Sequence, residues 1–406
     1  MTKLGVLFSV LGVGAGCIPA FAQKQLPNII VMLSDDQGWG DLGFTGNTFV
    51  QTPNIDRIAH EGTILENFYV CPVSSPTRAE FLTGRYHVRS GVNSTTGGGE
   101  RFNLGEKTIA EYFREAGYAT SLFGKWHSGT QYPYHPNARG FEEFYGFCSG
   151  HWGNYWNPVL EHNGEIISGE GFIIDDLTDK ALDYIRDHKE HPFFMFLSYN
   201  TPHSPMQVPD SWWNRVKDRT LSQRATFPEQ EDTTFTKAAL ALAENLDWNI
   251  GRVLSLLHSL DLEQETIVIY FSDNGPNSFR WNGGMKGRKG STDEGGVRSP
   301  FCIRWPGHIR KGAVETQLSG AIDLIPTLLG LAGIEYTPLR KLDGIDWGQR
   351  LLDEKAPAID RVLYSYWGGK TSVRISYYLL DAEDHLYKTD IDREQRKDVS
   401  DEEPEI

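Results

Sequence analysis

A chain of 406 residues, 39% hydrophobic and 23% charged, is long enough for a large domain with a smaller one beside it and too apolar to be intrinsically disordered. Its net charge of −15 excludes a general nucleic-acid binder and disfavours anionic polymers gripped along an extended surface. An anionic substrate would need a local pocket of Arg, Lys, His and metal to overcome that field.

Residues 1–22 read as an export signal. Lys3 supplies the positive segment, Leu4 to Ile18 the apolar one, and Ala20-Phe21-Ala22 the small-x-small cleavage site before Gln23. Cys17, within GAGC, offers lipid anchoring as the alternative, but the residues before it make a weak lipobox, so cleavage after Ala22 is favoured. No later run is long and apolar enough to span a bilayer. Removing Lys3 takes the charge from −15 to −16. Losing Cys17 leaves Cys71, Cys148 and Cys302, which allow one bridge at most and make neither a disulfide framework nor a zinc cluster.

From there strand-like and helix-like segments alternate. PNIIVMLSDD is a β-branched apolar run ending in acids, as a buried parallel strand would. TPNIDRIAHEG predicts a helix with Thr52 as N-cap, Pro53 in its first turn and Gly62 as its stop. CPVSSPTR, Cys71 to Arg78, predicts another helix start, and KTIAEYFREAGY, TDKALDYIRDH and roughly Thr234 to Leu260 are amphipathic helices. ATSLFGKWH, HPFFMFLSYNTPHSP, ETIVIYFSDNG and RSPFCIRWPG are the strands between them, with AIDLIPTLLGLAG as a late helix. The pattern implies an α/β sandwich with a largely parallel sheet over 23–337. From about Pro338 the texture changes to short β-like pieces, RVLYSYWGG, SVRISYYLLD and HLYKTD, which imply a smaller antiparallel subdomain over 338–406. The closing DVSDEEPEI reads as the start of a helix.

Four inferred strands end in polar residues: SDDQGWGD, GKWHSG, SYNTPHSP and SDNGPN. In open α/β sheets the ligand site lies beyond the carboxyl ends of the strands. Asp35-Asp36 and Asp273-Asn274 are hard oxygen donors suited to Ca²⁺ or Mg²⁺ rather than zinc, although any one such pair is more often a turn or a cap. Arg78, Lys125, His127, His203 and Lys289 are the cations a doubly charged ester would need. WNRV, GHWGNYW and SYWGG place aromatic rings in loop-like stretches, where such rings stack on sugars or simply pack. His151 and Trp152 stand between pocket and core.

Ser74-Ser75-Pro76-Thr77-Arg78 followed by FLTGRY resembles the C/S-x-P-x-R and TGR signature of the formylglycine-dependent sulfatases, within the alkaline-phosphatase-like superfamily. GKWH at 124–127, TPHSP at 201–205, SDNG at 272–275 and GRKGSTDEGGVRSP at 287–300 are similar to further blocks of that family, in its order, from roughly Pro27 onward. The resemblance implies an α/β/α sandwich with a mostly parallel central sheet, a small C-terminal antiparallel β subdomain, and sulfuric ester hydrolysis. It implies that Asp35, Asp36, Asp273 and Asn274, with Ser74, hold one Ca²⁺. It also implies that Ser74 is oxidised to formylglycine, whose gem-diol attacks sulfur with one hydroxyl and expels sulfate with the other. An unmodified serine, once sulfated, has no second hydroxyl for that release. Arg78 would orient the hydrated aldehyde, Lys125 and Lys289 would hold sulfate oxygens, His127 would be the base and His203 the acid. Lys286 competes with Lys289, but Lys289 lies five residues before Glu294, at the family's spacing. Cys71 aligns poorly as the modified residue, Ser75 is the variable position, and Thr77 replaces the commoner Ser or Ala. A serine at 74 implies a radical serine-type sulfatase-maturating enzyme as partner, acting on the unfolded chain before or during export. The enzyme is then expected in the periplasm, acting on a sulfated saccharide, with a terminal sugar favoured over a long polymer. The alternatives are a phosphatase or phosphodiesterase of the same superfamily using unmodified Ser74, whose dinuclear zinc ligands are not evident, and a glycan-binding protein, which would not need the five blocks.

Overall fold

The computed structural model describes Met1 and residues 26–406, so the expected signal segment and Cys17 lie outside the described residues. At its centre is the strand Asn28–Ser34, every residue of which is buried. Phe193–Ser198 and Thr266–Ser272 pair with it in parallel on either side. Ala119–Lys125 and Glu143–Phe147 extend the parallel array beyond Phe193–Ser198. Antiparallel pairs flank this array: Phe301–Arg304 runs against Thr266–Ser272, and Val159–His162 leads into a hairpin with Glu165–Ser168. With Thr63–Leu65 and Ala313–Glu315 the sheet has ten strands among the described residues. The short marginal strands escape the sequence because three or four residues carry too little alternation to register.

The pleat divides the core. Ile29, Val31 and Leu33 face one apolar cluster, beneath the helices Ser74–Thr83, Ile109–Glu115 and Leu324–Ala332. Ile30 and Met32 face the other, beneath Pro53–Glu61, Ile173–His188 and Thr233–Ser259. This is a sheet sandwiched by helices, as the alternation implies. Among the described residues no helix is long and apolar enough to cross a membrane. Cys71, Cys148 and Cys302 are all buried and free.

Two local expectations change, and a third holds for a different reason. Thr52 precedes Pro53–Glu61 but makes no side-chain cap; the Asn54 and Ile55 N–H groups donate instead to Asp247 Oδ1 on the long helix, at 2.9 and 2.8 Å. Gly62 is the stop of that helix, as expected, but without a left-handed turn. A Cβ there would come within 2.1 Å of the Ile303 carbonyl oxygen, so the glycine serves a close backbone approach. DVSDEEPEI forms turns rather than a helix, because the Val399 N–H donates to Leu386 O and Asp398 accepts from the Leu386 N–H, tying the segment to the last strand.

The C-terminal part is a four-stranded antiparallel sheet: Val362–Trp367, Lys370–Ile375, Tyr378–Leu380 and Leu386–Lys388. SVRISYYLLD supplies two of these strands, folded about Ser376. Gly368 and Gly369, with φ of 58° and 82°, make the two-residue turn between the first pair, a backbone that side chains resist.

Candidate active site

The carboxyl ends of neighbouring parallel strands meet at one point. Asp35 and Asp36 follow the central strand, Asp273 and Asn274 follow Thr266–Ser272, and Lys125 and Ser198 are the last residues of their own strands. Ser74 arrives from the opposite direction as the first residue of its helix, preceded by Val73 in extended conformation. Its hydroxyl therefore sits at a helix N-terminus, where the macrodipole favours an anion. Ser74 Oγ donates to Asp273 Oδ2 at 2.5 Å and accepts from Arg78 Nε at 3.0 Å.

Arg78, one helical turn on, has no exposed surface and spreads its fork across the site. It donates to Lys125 O at 3.0 Å, Ser198 Oγ at 2.5 Å and Asp273 Oδ2 at 3.1 Å. A lysine could not make that set of bonds, since only guanidinium presents several donors in fixed directions. Thr77 locks the same corner: its Oγ1 donates to Asp273 O at 2.6 Å and accepts from the Cys71 N–H at 2.8 Å.

The acidic side is equally crowded. Lys125 Nζ donates to Asp35 Oδ2 at 2.6 Å, Lys289 Nζ lies 2.5 Å from Asp36 Oδ1, and Asn274 Nδ2 donates to Asp36 Oδ1 at 2.9 Å. Burial pushes the Asp35 carboxyl up, but Lys125, His203 and Arg78 outweigh it and hold the group below the usual carboxylate range. Burial draws the Lys289 ammonium down, and Asp36 and Asp35 more than reverse that. Two oxygens remain unmatched: Asp35 Oδ1 and Asn274 Oδ1 are buried without a hydrogen-bond partner. An unpaired buried oxygen is costly, and a hard cation would satisfy both. The donor set, three carboxylates and one amide oxygen, fits Ca²⁺.

Two histidines flank this centre. His127 donates from Nε2 to Thr95 O at 2.8 Å, which fixes its tautomer and leaves Nδ1 buried without a partner. Burial, reinforced by the charge of Lys125, holds its pKa well below the ordinary range, so the ring is neutral with a free lone pair. His203 donates from Nδ1 to Ser204 O at 2.6 Å and places Nε2 3.5 Å from Asp36 Oδ2. Asp36 and His127 both have left-handed backbones, φ 64° and 60°, a strain that side chains adopt at over-determined sites.

These groups open into a cavity of about 570 Å³ lined by Ser74, Lys125, His127, His203 and Lys289 below, with Thr95, Thr96, Ser149, Gly150, His151 and Trp367 around them. Gly150 is obligatory: a Cβ there would lie 2.1 Å from His127 Nε2. His151 lines the cavity, whereas Trp152 stacks on Phe147 at 5.0 Å and packs against the core. Lys286 stays outside, 3.4 Å from Asp293. Ser75 Oγ donates to Ser94 O, and the Cys71 thiol is pushed up by burial and by Glu80. Ser198 and Trp367 were not singled out from the sequence. Ser198 had its signal in closing a polar-ended strand, and Trp367 in the aromatic SYWGG.

A family model described as Sulfatase matches residues 27–334. The chain belongs to the sulfatase family. A second model, N-sulphoglucosamine sulphohydrolase C-terminal, matches residues 289–395 of this sulfatase. The N-acetylgalactosamine-6-sulfatase of Mus musculus is 32% identical over 402 residues, 90% of this chain and 72% of that protein. Its Homo sapiens counterpart is 32% identical over 392 residues, 88% and 70% of the two chains. The crystal structure of Ps i-CgsB in complex with k-i-k-neocarrahexaose superposes with a TM-score of 0.82 at 29% identity, covering 94% of this chain and 90% of that one. This sulfatase is accordingly a sulfuric ester hydrolase with the family's sandwich and its small C-terminal antiparallel sheet.

Proposed function

We propose that this sulfatase removes sulfate from a sulfated carbohydrate in the periplasm, after a radical serine-type maturase has converted Ser74 to formylglycine, with Ca²⁺ held by Asp35, Asp36, Asp273, Asn274 and residue 74. The observation that carries the reading is the placement of Ser74 Oγ. It is bonded to Arg78 and Asp273, and it lines one cavity with both lysines and both histidines. If present, Ca²⁺ would supply a divalent charge beside the ester, and hydrated formylglycine would supply two hydroxyls on one carbon, one to attack sulfur and one whose deprotonation would expel sulfate.

The chain's own groups do the rest. Arg78 and Asp273, themselves ion-paired, hold the oxygen of residue 74 between them, one donating and one accepting, so its orientation is set before substrate enters. Lys125 and Lys289 place two ammonium groups where negative charge grows on the sulfate oxygens. His127, neutral and with Nδ1 unpaired, takes the proton that release of sulfate requires. His203, with Nδ1 tied to Ser204 O, presents Nε2 to protonate the departing sugar oxygen. The relatives named for N-acetylgalactosamine 6-sulfate and the neighbour bound to a neocarrahexaose support a sugar substrate. The sequence of residues 1–22 supports export. The end of the family match at residue 334 supports a catalytic unit over 23–337 and a subdomain over 338–406.

The test is mass spectrometry of the peptide containing Ser74, from protein co-expressed with a serine-type maturase. A loss of two hydrogens, together with sulfate release from a sulfated sugar, is the expected result. A peptide that stays unmodified, in protein that cleaves phosphate monoesters with zinc and no sulfate ester, would overturn the reading.

A further inference from the structure

The cavity has a charged floor and an uncharged wall. Lys125, His127, His203 and Lys289 surround Ser74 below, while Val73, Thr95, Thr96, Ser149, Gly150, His151 and Trp367 complete the lining with no carboxylate, lysine or arginine. At about 570 Å³ the cavity is of the size that encloses one small ligand, within the range of about 300–1,000 Å³. Trp367 is its single indole, and it comes from outside the sandwich, as the last residue of Val362–Trp367 before the Gly368-Gly369 turn.

The hairpin that carries that ring is anchored. His87 Nε2 lies 3.1 Å from Tyr366 O, and the His87 ring lies 6.1 Å from that of Tyr366, stacked, and 6.4 Å from that of Trp367. The Tyr364 N–H donates to Tyr86 Oη at 3.3 Å, and Trp367 pairs with Lys370 across the turn. Tyr86 and His87 closely follow the helix that begins with Ser74, so the hairpin is fastened to the element that carries the reacting residue. An aromatic surface fixed in advance loses little conformational freedom when a ligand settles on it. Pyranose rings offer such a surface its match: one face carries axial C–H groups, while the hydroxyls point outward to partners such as Thr95, Thr96 and His151. Burial and the neighbouring His203 push the His151 pKa down, so it acts as a neutral hydrogen-bonding group.

We propose that Trp367 is the sugar platform of this site, and that the uncharged wall selects a ring bearing one sulfate and no second anionic group. The proposal rests on the sulfated-carbohydrate reading above and deepens it. The floor's cations are committed to the transferred sulfate and to the acidic cluster, since Lys125 and Lys289 each already face an aspartate. A second sulfate or a uronic carboxylate on the same ring would lose its water against hydroxyls and a neutral imidazole, with no cation to offset that loss.

The experiment compares wild type, Trp367→Ala and Trp367→Phe, all with Ser74 conversion verified by mass spectrometry. The substrates are a panel of monosulfated hexoses and hexosamines, with disulfated hexosamines and sulfated uronic acids as contrasts. On the best monosulfated substrate, Trp367→Ala should raise KM by about tenfold or more with a smaller change in kcat, and Trp367→Phe should recover most of the loss. Inorganic sulfate, which reaches only the floor, should inhibit all three proteins with the same constant. An unchanged KM in Trp367→Ala overturns the proposal. So does a parallel weakening of sulfate inhibition, which would make Trp367 a prop for the floor, and so does a wild-type preference for disulfated or uronic substrates. If converted wild type cleaves no sulfated sugar at all, the carbohydrate reading itself fails and the platform falls with it.

Discussion

Thr77→Val is the most informative small change in this molecule. The two side chains have nearly the same shape, but valine has no hydroxyl, so only the polar contacts are removed. Thr77 is fully buried, and its Oγ1 both accepts from the Cys71 N–H at 2.8 Å and donates to Asp273 O at 2.6 Å. It joins the loop before Ser74 to the strand end that carries Asp273. The substitution strands one buried N–H and one buried carbonyl, each costing about 1–3 kcal/mol, so a loss of about 2–6 kcal/mol is expected. That is a large share of the roughly 5–15 kcal/mol that stabilises a typical fold. Thr77→Ser keeps both bonds and gives up one methyl group, for about 1 kcal/mol. Urea unfolding of the unconverted chain in chelator isolates the effect, because neither metal nor modification then contributes. A Thr77→Val midpoint equivalent to within about 0.5 kcal/mol of wild type, or a Thr77→Ser loss as large as that of valine, would refute the reasoning.

Three further outcomes follow from the same geometry. Adding Ca²⁺ to chelated protein at about a hundredfold its Kd should raise stability by about 2.7 kcal/mol, read as a thermal shift, and Asn274→Ala should remove most of that gain. Lys289→Ala should lower kcat/KM by about 10²–10³-fold, whereas Lys286→Ala, whose partner Asp293 lies outside the cavity, should change it by less than about threefold. Burial lifts the Glu80 carboxyl from its ordinary 4.5 to about 8, against the opposing pull of the His87 N–H. Between those values the folded chain keeps a proton that the unfolded chain releases. The stability from this group is therefore complete below pH 4.5 and is lost as pH rises through about 8. Glu80→Gln should flatten that slope in urea midpoints taken across the window, and an unaltered slope would count against it.

The large elements were legible because their signals are long or strongly patterned. Asn28–Ser34 and Thr266–Ser272 hold the unbroken apolar runs 29–33 and 267–271 with acids just beyond, and the long helix keeps its stripe from Thr233 to Ser259. The site was legible for a related reason: strand ends converge in any parallel sheet, so polar endings on separate strands can be read as one place. What stayed hidden depends on contacts between distant segments. Nothing near Thr52 in the chain announces that Asp247 will cap its helix, and nothing in GHWGNYW separates His151 in the cavity from Trp152 in the core. Thr77 looked like a mild exchange because its two partners are brought together only by folding. Trp367 showed itself as an aromatic in a loop-like stretch, but its place in the cavity that Ser74 lines depends on docking of the hairpin onto Tyr86 and His87.

Gly150 and Trp367, the residue before the Gly368-Gly369 turn, line the same cavity with opposite consequences for redesign. At Gly150 any side chain strikes His127, so the pocket cannot be narrowed there without displacing a ring that the chemistry uses. The turn carries none of the groups that surround Ser74, and it belongs to a sheet outside the sandwich. Lengthening, shortening or recolouring residues 366–370 reshapes the entrance while leaving the strand ends untouched, since surface turns absorb insertions far better than packed elements do. The architecture thus separates a fixed reaction chamber from an exchangeable collar, and retargeting this scaffold to another sulfated sugar begins at the collar.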